Sequence, residues 1–461
     1  MSNIHESELP DLGQFPQSET QKIASDVFVP KDNEQDYLDE HGIEIRRLNN
    51  GVLLAGATRT VEDEACTSLN LHMPSGSYYE PVGKSGINHF IEHLVSNRPG
   101  KAAYQNEVGY NANTTSAAVN MSLEGSAHPD VPDYGVWNVL PIFFAQCSSD
   151  FSVTEKEVES EKGVVLGEMH EKDRDHHVQV DKFFRSVIYS DKNPINYTVI
   201  GSQQDIRSIT VNNVREQHDS IFVPQGLEAT VFSQGTRQIT TDMLDKAEEF
   251  LEKMPNNGVY PARVDKRLFA VLNPDYTQGA EYVMDTGLND RKLTISYTWV
   301  LPTAAYSVDF YTKQQFFNVA TQKMFFLYRE LGLGYSTDPL NNSIGRDKQL
   351  MGFQLHIPSR LGIDTFANEL YPLIQEHVFG AFNISDFKYM TDIAQKRARA
   401  HPSTVSDRFR QTTIGLRDFG RILDIDKLNV LIQQVSFSGL SEVQQYFVDM
   451  EPAIIIAGDL S

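Results

Sequence analysis

Along Cys66–Met73 apolar and polar positions alternate, with Leu69, Leu71 and Met73 on one side, and the run stops at Pro74. That is the period of a half-buried strand. Ile43–Leu48 and Val52–Thr58 flank Asn49-Asn50-Gly51, which predicts a β-hairpin with Asn-Gly in the turn. Ile87, Phe90, Ile91, Leu94 and Val95 then fall at i, i+3, i+4, i+7 and i+8, the stripe of an amphipathic helix. Gly109–Thr114 reads as a break before a strand at Ala117–Leu123, and Pro132–Gln146 as a mostly apolar helix interrupted at Pro141. Thr154-Glu155-Lys156-Glu157 has the form of a capping box and predicts a helix to about Asp173, in spite of Gly163 and Gly167.

The order of elements then recurs. Thr210–Phe222 reads as a helix and Gly226–Phe232 as a strand ending near Gly235, while Leu440–Val448 and Ala453–Ile456 repeat that order and end at Gly458. Leu293–Leu301 closes on Pro302 as Leu69–Met73 closes on Pro74. A duplicated unit follows, divided as an acidic extension over 1–40, a first domain over 41–236, a linker over 237–267 containing Pro255-Asn256-Asn257-Gly258, and a related domain over 268–461.

Composition narrows the class. The chain has 461 residues, 40% hydrophobic and 22% charged, which fits a soluble protein of two or three domains. No apolar run is long enough for a membrane span, and the N-terminus resembles neither a signal nor a transit peptide, so a cytoplasmic location is expected. Two cysteines, Cys66 and Cys147, form no disulfide framework. The net charge of −22 argues against nucleic acid as a partner. Residues 1–40 carry ten Asp/Glu against two Lys/Arg and read as a solvated extension, and the basic stretch Lys396–Arg421 as a charged helix surface.

The chemistry lies on the apolar-striped helix. His89-Phe90-Ile91-Glu92-His93 puts two imidazoles one turn apart and a carboxylate beside them, the H-x-x-E-H order of inverted zinc peptidases. Histidines on a helix face are commonly just solvated, and a metal site needs a third protein ligand. Glu161 and Glu168 share a face of the next capped helix, where glutamates are ordinarily surface residues. His170, His176 and His177 read as solvated helix-end histidines in preference to a second metal cluster.

Together these segments resemble the pitrilysin/insulinase family of zinc peptidases, especially its short two-domain members related to mitochondrial processing peptidase. The resemblance rests on Gly76-Ser77 with Glu80, Gly86-Ile87-Asn88-His89-Phe90-Ile91-Glu92-His93-Leu94, Asn111-Ala112 with Thr114, Glu161 to Glu168 in the form E-x-x-V-V-x-x-E, and Ile200-Gly201. It implies that His89, His93 and Glu168 ligate one zinc ion per chain. It gives Glu92 the role of general base, and Glu161 that of a supporting carboxylate. Arg329-Glu330-Leu331-Gly332-Leu333-Gly334-Tyr335 resembles the segment by which the family's second half touches substrate, with Tyr335 on the scissile carbonyl and Arg329 holding the peptide. Arg329 stands six residues before Tyr335 where seven are expected, and the family's F-K-G-T after the motif is replaced by Val95-Ser96-Asn97-Arg98-Pro99-Gly100.

The resemblance also implies an α+β fold of two related halves, each a mainly antiparallel mixed sheet with helices packed on one face. Its activity would be that of a zinc metalloendopeptidase, cleaving peptides or short unfolded segments inside a closed chamber. A homodimer, or a heterodimer with a related two-domain subunit, would complete that chamber. The alternatives are a non-catalytic scaffold subunit, or a catalytic subunit that needs a second subunit for activity.

Overall fold

The computed structural model describes residues 27–61, 66–127, 135–148, 151–190, 198–254, 272–289, 291–302, 307–333, 337–344, 348–358, 369–380, 382–383, 385–389, 392 and 404–460. Its first half is built on a six-stranded sheet of β1 (Ile43–Arg47), β2 (Leu53–Thr60), β3 (Cys66–Met73), β4 (Gly109–Thr114), β5 (Val119–Ser126) and β6 (Glu228–Gly235). The strand order is β1-β2-β6-β3-β5-β4, antiparallel throughout except for β2 against β6. The second half has β7 (Glu281–Asp285), β8 (Lys292–Pro302), β9 (Thr337–Ile344), β10 (Lys348–Pro358) and β11 (Ala453–Gly458), in the order β7-β11-β8-β10-β9. Here too one pair is parallel, β7 with β11. The five strands β2-β6-β3-β5-β4 and β7-β11-β8-β10-β9 therefore follow one topology, with β1 added at the edge of the first sheet. The halves are related, as the sequence predicts.

The helices are α1 (Glu34–Glu40), α2 (Ile87–Gln105), α3 (Val136–Ala145), α4 (Glu155–Lys172), α5 (His176–Ile188), α6 (Gln203–Ser208), α7 (Val211–Ile221), α8 (Arg237–Leu251), α9 (Val308–Glu330), α10 (Val405–Phe419), α11 (Ile425–Gln433) and α12 (Phe437–Asp449). Leu69, Leu71 and Met73 of β3 meet Phe90 and Ile91 of α2 and Val139 and Phe143 of α3 in the first core. Trp299, Phe316, Phe353 and Phe447 dominate the second, between β8, β10, α9 and α12. Each fully buried side chain of this kind stabilises the fold by roughly 1.5–3 kcal/mol.

The opposite faces of the two sheets exchange helices. Phe409 of α10, from the second half, packs with Ala55 and Ala57 of β2 in the first. In return Phe184, Val187 and Ile188 of α5 pack with Leu350 and Ile455 of the second sheet. Among the described residues, no helix is long and apolar enough to cross a membrane.

Several local expectations change. Gly109–Thr114, expected as a break, is the edge strand β4; its Gly, Asn and Thr residues suit a half-exposed edge, which carries little apolar signal. The helix at 136–145 runs through Pro141. Arg237–Leu251, expected at the start of the linker, is α8, with Ile239, Met243, Leu244, Ala247 and Leu251 buried in the first core at helical spacing. Pro255–Gly258 lie outside the described residues, as do residues 1–26 of the acidic extension. The remainder of that extension is pinned: Phe28 bridges to Leu423, and Val29 and Leu38 are buried against the first sheet. Lys396–Ser403 of the basic stretch also lie outside.

Candidate metal centre

The apolar stripe of α2 seats Phe90, Ile91 and Val95 in the first core and leaves His89, Glu92 and His93 facing α4 and β4. Thr154 and Glu157 form the expected capping box at the start of α4, which sets that helix in place beside α2. His89 Nε2 and His93 Nε2 each lie 3.7 Å from the same atom, Oε2 of Glu168. That separation is too long for a hydrogen bond. It is close to the spacing of donors around a tetrahedral ion, roughly 3.4 Å apart when each is about 2.1 Å from the metal. One ligand atom from each of the three residues lies within 4.8 Å of the other two, and the set is the one such cluster among the described residues. Two imidazole nitrogens and a carboxylate oxygen that converge without bonding one another suit a borderline cation such as zinc.

The surroundings favour that state. Burial and the neighbouring His93 push the His89 pKa down to about 4, so its ring is neutral at pH 7. His93 donates from Nδ1 to Glu161 Oε1 at 2.8 Å, which leaves Nε2 as the free nitrogen. This bond, made against the cost of burial, raises the His93 pKa and lowers that of Glu161. Burial opposes ionisation of Glu168, but the Lys172 ammonium on its Oε1 at 2.6 Å and the two imidazoles outweigh it and hold the carboxyl below its usual range. Glu92 is buried, and burial raises its pKa against the pull of His93 and of the Thr114 hydroxyl, which donates to Oε2 at 3.2 Å.

The structure thus brings together His89, His93, Glu168, Glu92 and Glu161. Arg329 stands in the last turn of α9 with its guanidinium 5.6 Å from the centre of the Phe325 ring, and Tyr335 lies outside the described residues. His176 is not a solvated histidine: it is buried, and its Nε2 bonds the Thr294 hydroxyl at 2.9 Å where α5 meets the second sheet. Lys172 was not singled out from sequence, and Thr114 was noted only within the Asn111-Ala112-x-Thr114 resemblance, with no role attached. Lys172 had a signal, since it stands four residues after Glu168 on one helix face; the bond from Thr114 to Glu92 became visible only once β4 was placed against α2.

Residues 57–201 match the family model described as Insulinase (Peptidase family M16). The matched segment is the one that carries His89, Glu92, His93, Glu161 and Glu168. No curated protein matches the chain by sequence. Among solved structures, this chain is similar to a protease from Helicobacter pylori, with a TM-score of 0.68 and 16% identity over 90% of this chain and 99% of that one. It is similar to the periplasmic protease PqqL from Escherichia coli, with a TM-score of 0.70 and 15% identity over 94% of this chain and 48% of PqqL. It is also similar to a peptidase M16 inactive domain from Pseudomonas fluorescens, with a TM-score of 0.68 and 11% identity over 90% and 98%. At these identities the likenesses establish the fold.

Proposed function

We infer that the chain is a zinc metalloendopeptidase that hydrolyses peptides or short unfolded segments. The observation that carries this reading is the convergence of His89, His93 and Glu168 with Glu92 buried beside them. Those three residues would hold one zinc ion. When bound, the ion supplies Lewis-acid chemistry, polarising a peptide carbonyl and lowering the pKa of water to roughly 7.

The chain's own residues do the rest. Glu92, its basicity raised by burial, takes the proton of the attacking water and returns it to the leaving amine as the C–N bond breaks. Thr114 orients the Glu92 carboxylate, and Glu161 orients the His93 ring. β4 is the edge strand beside this cluster and offers its free backbone groups to an extended peptide. Arg329 and Tyr335 would hold the peptide and its scissile carbonyl from the second half. A second two-domain chain, identical or related, would close the chamber.

The second reading, a non-catalytic subunit, draws on the Pseudomonas fluorescens neighbour, which is described as an inactive domain. The two separate on zinc content and peptide hydrolysis of the purified chain, measured beside Glu92→Gln. We expect about one zinc per chain in both proteins, and a loss of hydrolysis of about 10²-fold or more in the variant. A wild-type chain that binds zinc but cleaves no member of a broad peptide library supports the subunit reading, and one that binds none ends the catalytic reading.

A further inference from the structure

The two histidines of the cluster are aimed by different means. His93 has Glu161 on its Nδ1. His89 Nδ1 is buried and has no hydrogen-bond partner among the described residues, so no hydrogen bond from a described residue fixes that ring from behind. Its aim depends on where the first turn of α2 places its Cα.

That turn is held by side chains that the proposed chemistry does not use. Gly86 is the N-cap of α2 and has no side chain with which to cap it. Glu80, on the segment after β3, supplies the missing acceptors. The Gly86 N–H donates to its Oε2 at 2.7 Å and the Asn88 N–H to its Oε1 at 3.0 Å, which satisfies two donors left open at the helix start. Asn88, one residue before His89, is fully buried. Its Nδ2 donates to the carbonyls of Ser75 at 2.8 Å and Gly76 at 2.7 Å. Its Oδ1 accepts from Nε2 of Gln217, on α7, at 2.7 Å. Asn88 is therefore tied to the strand exit on one side and to α7 on the other. In a helix each residue fixes the azimuth of the next, so pinning residue 88 sets the direction of His89 and, one turn on, of Glu92 and His93.

We propose that Glu80, Asn88 and Gln217 are positioning residues of the metal centre, fixing the first turn of α2 so that His89 meets Glu168 at metal-binding distance. The proposal rests on the metal reading given above.

Glu80→Gln and Gln217→Met test it in the full chain. A carboxyl offers acceptor lone pairs on both oxygens whether or not it is ionised, whereas the Gln amide offers one oxygen and turns an N–H₂ towards a backbone N–H. Gln217→Met keeps the side-chain length and removes one hydrogen bond at the far end of the network, so it is the milder change should Glu80→Gln fail to fold. Thr210→Ala, which removes the hydroxyl that caps α7 through Asn213, is the control for lost stability without loss of the network. The readouts are the Zn²⁺ dissociation constant by chelator competition, the visible spectrum of the Co²⁺ form, and the thermal midpoint of the metal-free chain.

We expect both variants to bind Zn²⁺ about tenfold more weakly or worse and to give an altered Co²⁺ spectrum. Thr210→Ala should lower the midpoint and leave both metal readouts at wild type. If Glu80→Gln and Gln217→Met lower only the midpoint, the network is structural and the proposal fails while the metal reading stands. A wild-type chain that takes up no Zn²⁺ overturns the metal reading, and this proposal with it.

Discussion

Glu161 and Glu168 lie two turns apart on α4 and address opposite ends of one imidazole. Glu161 accepts the Nδ1 proton of His93 at 2.8 Å, and Glu168 stands 3.7 Å from Nε2. A carboxylate behind a ligand histidine fixes its tautomer and makes the free nitrogen a stronger donor. Glu161→Gln keeps the length and one acceptor oxygen but removes the charge. We expect it to weaken Zn²⁺ binding by about 10–100-fold. In the metal-free chain it should also bring the His93 pKa down, because the Glu161 bond is the largest cause of its rise. Chelator competition and imidazole NMR titration measure the two effects. Unchanged affinity would show that Glu161 does not act through His93. At this scale the sequence is most legible where the chemistry is local. The four-residue spacing of His89 and His93 on a helix is visible in the string itself, whereas Glu168, 75 positions beyond His93, became a candidate only through resemblance.

Two glycines in sequence-visible motifs have opposite roles in their elements. At the entry to α2, Gly201 has φ +83°, and a Cβ there would meet the Ser85 carbonyl oxygen at 2.1 Å. Gly86, facing it with φ +87°, would put a Cβ 2.3 Å from the Ile200 carbonyl oxygen. Two backbones cross here at a distance that only glycine on both sides allows. Gly201→Ala should therefore cost about 2 kcal/mol or more, from the left-handed backbone and the clash together. Gly163 lies in the middle of α4 with nothing within 4 Å of an added Cβ. Gly163→Ala should stabilise the chain by roughly 0.5–1 kcal/mol, since the helix already has the backbone angles that alanine prefers. Urea unfolding of the two variants checks both signs. Elements whose burial is regular were legible: β3 from its alternation, α2 from its apolar stripe, α4 from its cap. β4 was missed because an edge strand of Gly, Asn and Thr buries little, and α8 because the turn-rich Pro255–Gly258 drew the linker boundary too early. Its stripe of Ile239, Met243, Leu244, Ala247 and Leu251 was there to be read.

The exchange of helices between the sheets gives each half a core face covered by the other, and the two are expected to unfold as one cooperative body. α10 leaves the second half to cover β2 of the first, and α5 leaves the first to cover the back of the second sheet. The strap Val27–Val29 joins the same seam through Val29 N–H to Ile422 O at 2.9 Å and Asp424 N–H to Val27 O at 2.9 Å. Neither half can unfold without stripping a core face from the other. The chain holds two tryptophans, and they report the halves separately: Trp137 packs on the first core and Trp299 is buried at the centre of the second. Phe409 is buried in the seam, its ring centre 6.3 Å from that of Phe232. Phe409→Ala should cost about 3–5 kcal/mol, the range for an aromatic ring removed from a core. The decisive measurement is urea unfolding followed by fluorescence in the Trp137→Phe and Trp299→Phe backgrounds, each with and without Phe409→Ala. Coincident transitions that move together in both backgrounds are the expected result, because cooperative halves share one midpoint. If the variant shifts the Trp299 transition and leaves that of Trp137 in place, or the reverse, the seam does not couple the halves. In that case a cleft between the two sheets could open within a single chain, and a second chain would not be needed to admit a peptide.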